Sequence, residues 1–525
     1  MSVPAESLTH VGAVARHQAA LRPNATALIC GARRLTFAEL DARANQVAHG
    51  LAGLLPPTGR IALLDTNSEV FYELFFGAAR SGRVLVPINF RLALPEIAYI
   101  INDAQAHTLV VGHAWTAQLE ELKRGCPCLR QVLAQAPPGS QAADEYQVWR
   151  DQQSTAACDD APFPPETPVI QMYTSGTTGH PKGAMLSHEN IMVVPPILLA
   201  EYGRREADVA LVCLPLFHVS GSMWGLSSLY AGMLTVILPQ STPAAIIAAI
   251  ADYRVTKTFL VPALIYFLLQ EPTLKARDCS SLDLIVYGAS PIPVPLMRAA
   301  LNHFGCRLAQ VYGLTETCGA LTYLRPEDHL DTAHERRLQS CGRALDGVEL
   351  RIVDSDGQVL PPETVGEVHC RSRQIMRGYW DRDEENAAVF AGGWFHTGDL
   401  ALLDADGYLY IVDRLKDMII TGGEKVYPAE VERVLVTHPA IADAGVFGVP
   451  DARWGEAVRA AVVVRAGHDL DADGLRAWLR QQLAAYKVPR SFDAVAALPR
   501  NAAGKVLKRE LRAQFPPSRP SNPVS

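Results

Sequence analysis

Between residues 168 and 312, short continuous apolar runs alternate with longer stretches whose apolar positions recur every three or four residues. The runs at 209–214, 234–238, 257–261 and 282–287 read as strands buried on both faces. Residues 244–253 and 295–304 read as helices, the second opened by Pro295 at a tolerated helix start. This alternation predicts an α/β fold of layered, largely parallel sheets. Residues 342–412 differ in character. A strand at 348–353 enters the turn Asp354-Ser355-Asp356-Gly357, and a strand at 407–412 follows Asp404-Ala405-Asp406, so a compact β-rich subdomain is expected. Beyond Asp413-Arg414-Leu415-Lys416-Asp417 the pattern becomes a small α+β unit, with a helix near 428–437, a strand near 458–464 and a helix near 475–485. The expected organisation is an N-terminal domain over 1–413, its β-rich subdomain at about 342–413, a C-terminal domain over 414–515 and a disordered Pro/Ser tail over 516–525.

Length adds to this picture, because 525 residues exceed what one ordinary core holds. A net charge of −7 gives no general attraction to nucleic acid or to anionic membranes. The longest apolar stretch, 259–269, is about half of the ~20 residues a membrane span needs. No integral membrane segment is therefore expected, and the N-terminus lacks a basic-then-apolar signal pattern. Ten scattered cysteines form no Cys-x-x-Cys pair, and Cys126-Pro127-Cys128 has no matching second half for a zinc site. They read as reduced thiols of a cytoplasmic protein. The oligomeric state stays open, a homodimer included.

The candidate chemistry begins at Tyr173-Thr174-Ser175-Gly176-Thr177-Thr178-Gly179-His180-Pro181-Lys182-Gly183, directly after an apolar strand-like run at 168–172. Its glycines let backbone N–H groups approach an anion, its hydroxyls add donors and Lys182 adds charge. A plain surface turn has the same composition, and the Walker pattern fails because Gly183 follows Lys182. The order of all eleven residues resembles the signature loop of the acyl-adenylate-forming (AMP-binding) enzyme superfamily, which includes acyl-CoA synthetases. By that resemblance Thr174, Ser175, Gly176, Thr177, Thr178, Gly179 and Lys182 bind ATP.

Four further blocks carry the resemblance as far as Lys505. In Gln310-Val311-Tyr312-Gly313-Leu314-Thr315-Glu316-Thr317, the family assigns Tyr312 to adenine, Thr315 to the α-phosphate and Glu316 to Mg2+, a metal that prefers carboxylate oxygen. Gln310 belongs to the same nucleotide site, and Gly288 and Ala289 form its adenine wall. Trp394-Phe395-His396-Thr397-Gly398-Asp399-Leu400 would place Asp399 on the ribose hydroxyls, and Arg414 would reach the ribose or phosphate. Lys505, in Gly504-Lys505-Val506-Leu507-Lys508, matches the catalytic lysine whose fixed charge assists adenylation. Upstream, Leu35-Thr36-Phe37-Ala38-Glu39-Leu40 resembles the family's opening strand-to-helix passage.

Two segments point to a branch. Amino-acid-activating relatives carry an aspartate where Pro215-Leu216-Phe217-His218 has His218, and a substrate ammonium needs that carboxylate. His218 resembles the histidine beside the carboxylate pocket of fatty-acid and aryl-acid CoA ligases. Thr421-Gly422-Gly423-Glu424-Lys425 resembles the segment lining the CoA ligases' pantetheine tunnel. Trp454, Tyr486 and Arg490 match positions some relatives use on the CoA nucleotide, while Val488 departs from a basic residue found in some aryl-acid ligases. Lys416 falls at the family's hinge, about which a mobile C-terminal domain rotates. By motif position the acyl pocket involves His218, Val219, Trp224, Ala289, Gly313, Leu314, Cys318 and Gly319. The resemblance thus implies an ATP-, Mg2+- and CoA-dependent acyl-CoA synthetase for a carboxylic acid, expected to be a medium- or long-chain fatty acid. An aryl-acid CoA ligase and an acyl-AMP ligase loading a separate carrier protein are the alternatives.

Overall fold

The computed structural model describes residues 8–137, 140, 143–158, 163–174, 181–203, 205, 207–422, 424–451, 454–500 and 506–515. The expected contacts of Ser175, Gly176, Thr177, Thr178, Gly179, Gly423 and Lys505, and the tail over 516–525, lie outside the described residues. The chain divides into two compact units. The first takes residues up to 349 and returns for Arg371–Phe395, and the second comprises Leu350–Cys370 and the chain from His396 onward.

The first unit holds two layered sheets. In the larger, the strands Arg307–Tyr312, Leu284–Gly288, Lys257–Leu260, Val209–Val212, Leu234–Ile237 and Thr26–Cys30 lie side by side and parallel. Antiparallel strands close its edges, Arg33–Thr36 on one side and Thr322–Leu324 followed by Arg343–Ala344 on the other. The four apolar runs read from the sequence are all here, with ends that differ by one or two residues. Their helices, Pro243–Asp252 and Val294–Phe304, cover one face, where Ile246, Ile250, Ile285, Met297 and Leu308 pack with no exposure. In the second sheet, Val84–Pro87, Arg60–Leu64, Ala106–Val111 and Gln131–Ala134 run parallel beside Pro168–Thr174. Antiparallel Lys182–Ser187 and the short Gly378–Tyr379 complete it. The opening passage is a strand handing over to helix Phe37–Leu54 through a capping box, with Thr36 Oγ1 accepting from Glu39 N–H and Glu39 accepting from Thr36 N–H.

The second unit contains a four-stranded sheet of Glu349–Val353, Gly366–Arg371, Phe395–Leu403 and Leu409–Arg414. Asp354 and Asp404 each fold the turn after them by accepting two backbone N–H groups. A five-stranded sheet follows, centred on the pair Ile441–Asp451 and Gly455–Val464. Helices Pro428–Leu435 and Ala472–Arg480 bury Val431, Leu435, Leu475 and Leu479 against it. The second helix starts three residues before the expected 475 because Asp471 caps it, accepting from Gly474 N–H at 2.9 Å. The anticipated boundary at 413/414 lies inside this unit. Asp413 is itself buried there, accepting from Ala429 N–H at 2.7 Å with Lys508 Nζ 4.0 Å away. All ten cysteines are free thiols, seven of them buried. Among the described residues, no helix is long and apolar enough to cross a membrane.

Candidate active site

Two strand ends of the first unit bring hydroxyl and carboxylate groups together. Thr174 closes the strand Pro168–Thr174, and Glu316 sits in the tight turn Thr315–Thr317 just past the strand Arg307–Tyr312. Thr174 Oγ1 donates to Glu316 Oε1 at 3.3 Å, and Tyr379 OH donates to the same oxygen at 2.7 Å. The turn is held from all sides. Thr317 Oγ1 accepts from Leu314 N–H at 2.9 Å, Glu316 C=O accepts from Met376 N–H at 2.8 Å, and Gln374 Nε2 donates to Thr317 C=O at 2.9 Å. Gly313 is required, since a Cβ there would stand 2.8 Å from the Ala320 nitrogen. Glu316 is 8% exposed, and among the described residues no hydrogen bond reaches Oε2. A buried carboxylate with one oxygen anchored and one available suits a hard divalent cation, so the residues fit Mg2+.

Lys182 begins the next strand, nearly buried, 3.2 Å from Glu385 Oε1 and 5.4 Å from the Tyr379 ring centroid. A phosphate would compete with Glu385 for that ammonium. Gly288 ends its strand opposite Val311, where a Cβ would lie 2.5 Å from Val311 O. Ala289 follows with φ +66°, turning the chain away. Tyr312 and Thr315 are half-buried. Gln310 is buried, and its amide donates to Cys341 Sγ at 3.6 Å rather than opening outward.

His218 precedes the helix Val219–Tyr230. Its Nε2 is buried without a hydrogen-bond partner among the described residues. Burial, reinforced by the positive charge of Arg91, pushes the imidazole down to about 4, so it is neutral at pH 7. An orphaned buried nitrogen costs stability and is satisfied when a ligand oxygen arrives. Trp224 spends its indole N–H on Leu211 C=O at 3.0 Å and turns an apolar face to Tyr202 and Phe259. Cys318 is fully buried at φ +52°, its thiol held protonated by burial, and Gly319 lies 3.5 Å from Val219 when a Cβ is built on it.

The remaining expected residues belong to the second unit. Asp399 and Arg414 face each other across neighbouring strands, Arg414 Nε lying 2.5 Å from Asp399 Oδ1. Lys416 is exposed in the turn Leu415–Asp417. Gly422 has φ +61° and donates its N–H to Trp454 C=O at 2.8 Å, and Arg490 stacks over the Trp454 ring at 4.7 Å. These three therefore form one cluster. Tyr486 is 42% exposed nearby in sequence, whereas Val488 is buried in the unit's core. Sequence reasoning missed Tyr379, Glu385 and Arg91. Tyr379 lies in a two-residue strand, too short for any alternation to show.

Comparison with known proteins identifies the family. The AMP-binding enzyme family model matches residues 15–380, and the model of the AMP-binding enzyme C-terminal domain matches 430–505. A fatty acid–[acyl-carrier-protein] ligase of Streptomyces coeruleorubidus is 37% identical, with 94% of each chain covered. A long-chain-fatty-acid–CoA ligase of Mycobacterium tuberculosis is 35% identical over 97% of this chain and 99% of the relative. The solved o-succinylbenzoate CoA synthetase from Bacillus subtilis, in complex with its acyl-adenylate intermediate, superposes with a TM-score of 0.82 at 31% identity, covering 95% of this chain and 97% of that one. The chain belongs to the AMP-binding enzyme family, on its acyl-CoA synthetase branch, and is an AMP-forming acid–thiol ligase.

Proposed function

We propose that this ligase activates a medium- or long-chain fatty acid and passes the acyl group to CoA. The apolar wall carries the substrate reading: Val219, Trp224, Cys318 and Gly319 offer methyl, ring, thiol and backbone surface but no fixed charge. Such a lining favours a monocarboxylic acid with an apolar body. His218, neutral and with its Nε2 unpartnered among the described residues, would hydrogen-bond the substrate carboxyl.

In the first half-reaction a carboxylate oxygen attacks the α-phosphorus and pyrophosphate leaves. In the second, the thiolate of CoA attacks the acyl carbon and AMP leaves. Thr174, residues 175–179 and Lys182 hold the phosphates, and Thr315 contacts the α-phosphate. Tyr312 packs on adenine beside Gly288 and Ala289, while Asp399 accepts the ribose hydroxyls once Arg414 shares it. Mg2+, held by Glu316, would neutralise phosphate charge. Lys505 supplies positive charge where it develops in the transition state. Rotation about Lys416 then exchanges Lys505 for the Gly422 segment, with Trp454, Tyr486 and Arg490 receiving CoA. The ten unpaired thiols fit a cytoplasmic setting.

The fatty acid–carrier ligase and the o-succinylbenzoate synthetase mark the two rival readings, a carrier thiol and an aryl acid. Pyrophosphate release across straight-chain acids from acetate to stearate, with benzoates and cinnamates alongside, tests the substrate. Product formed with CoA against a carrier protein tests the acceptor. Preference for aryl acids, or turnover with a carrier alone, overturns the corresponding half of the proposal.

A further inference from the structure

One cluster in the second unit takes no part in the chemistry above. Glu367 and His369 are alternate residues of the strand Gly366–Arg371 and so share a face, and His396 lies on the adjoining strand Phe395–Leu403. Thr397 Oγ1 donates to Val368 C=O at 2.8 Å, which ties the two strands at this level. The His369 and His396 rings stack at 3.7 Å and 16°, and His369 is only 3% exposed. One ligand atom from each of the three residues falls within 4.8 Å of the others.

The geometry points to a binding site for one divalent transition-metal ion of the zinc class, built from Glu367, His369 and His396. The donor set, two imidazoles and a carboxylate, suits such an ion and leaves a position for water. Spacing supports it. His369 Nε2 and Glu367 Oε2 are 3.3 Å apart, and two ligands on bonds of about 2.0–2.1 Å at a tetrahedral angle are separated by about 3.3 Å. Drawing the third ligand in from at most 4.8 Å asks for about 1.5 Å of movement, which the half-buried His396 can make by rotating out of the stack. Glu367 is already oriented, because its Oε1 accepts from Gly398 N–H at 3.1 Å and leaves Oε2 for the metal.

One contact opposes occupancy. Arg351 Nη2 lies 3.4 Å from His369 Nδ1. Arginine can only donate, so it favours the tautomer with the proton on Nε2. Metal binding at Nε2 sends that proton to Nδ1 and displaces Arg351.

Equilibrium dialysis of the full chain against Zn2+ tests the site, with Mg2+ as control. One Zn2+ per chain should bind, weakened at least about tenfold by Glu367→Gln, His369→Gln or His396→Gln. Arg351→Gln should tighten binding, an effect a purely structural role does not produce. Should His369→Gln fail to fold by circular dichroism, the half-buried His396→Gln decides alone. Unchanged affinity and stoichiometry in the ligand variants overturns the site, as does thiolate-to-metal charge transfer in the Co2+-loaded protein, which would place the ion on cysteine.

Discussion

Replacing Tyr379 with Phe isolates one interaction of the candidate active site. The substitution keeps the ring beside Lys182 and deletes the hydroxyl that donates to Glu316 Oε1 at 2.7 Å. A hydrogen bond to a charged group contributes about 1.5–3 kcal/mol. The Thr174 hydroxyl, more distant at 3.3 Å, stays on the same oxygen. If the bond positions the carboxylate for the nucleotide's metal, adenylation should fall roughly 10- to 150-fold, since each 1.36 kcal/mol is tenfold. The Mg2+ concentration giving half-maximal rate should rise in step. The assay is pyrophosphate release with a good acid substrate over a Mg2+ titration. It is paired with thioester formation from supplied acyl-AMP and CoA, and with urea unfolding of the same preparation. The two half-reactions should separate, with the second spared. An adenylation rate within about twofold of the parent, at an unchanged Mg2+ requirement, refutes the reasoning. Equal loss in both half-reactions with reduced stability would make Tyr379 a structural brace only.

Lys505→Ala should abolish adenylation and largely spare thioester formation from supplied acyl-AMP, and equal loss of both steps refutes the assigned role. Gly422→Ala places a Cβ 2.8 Å from the Trp454 ring at φ +61°, where an L-residue is strained by about 1–2 kcal/mol. Its KM for CoA should rise with adenylation intact, and an unchanged KM removes Gly422 from the CoA site. His188 accepts from Val11 N–H, and its burial, with His10 adding to it, pushes the imidazole from 6.5 to about 3. Between those values the unfolded chain takes up a proton that the fold refuses, so stability falls as pH drops below 6.5, by about 1.4 kcal/mol per unit. Urea unfolding at pH 7 and pH 5 should show a loss about 2 kcal/mol smaller in His188→Gln, and an identical loss in both proteins rejects the assignment.

Much of this was legible in the sequence, for identifiable reasons. Strands buried on both faces announce themselves as continuous apolar runs, and Val209–Val212, Leu234–Ile237, Lys257–Leu260 and Leu284–Gly288 all emerged where those runs stand. Glycines at strand ends were readable because a Cβ at Gly288 or Gly313 would meet backbone atoms. Contacts made at long sequence separation were not. Tyr379 reaches Glu316 across 63 positions, and Arg91 acts on His218 from a different segment. No local periodicity encodes either. Gln310 shows the opposite limit: its motif position suggested the nucleotide, while packing turned its amide to Cys341.

The excursion of the chain between residues 349 and 371 has a consequence for biosynthesis. A nascent polypeptide that has emerged as far as residue 349 already carries Thr174 and Glu316, yet lacks the side-chain amide of Gln374, the backbone N–H of Met376 and the hydroxyl of Tyr379 that clasp that turn. Those arrive only after a piece of the other unit has been synthesised. The ribosome therefore delivers the lock on the Glu316 turn late, and the larger unit matures while the smaller one is still being made.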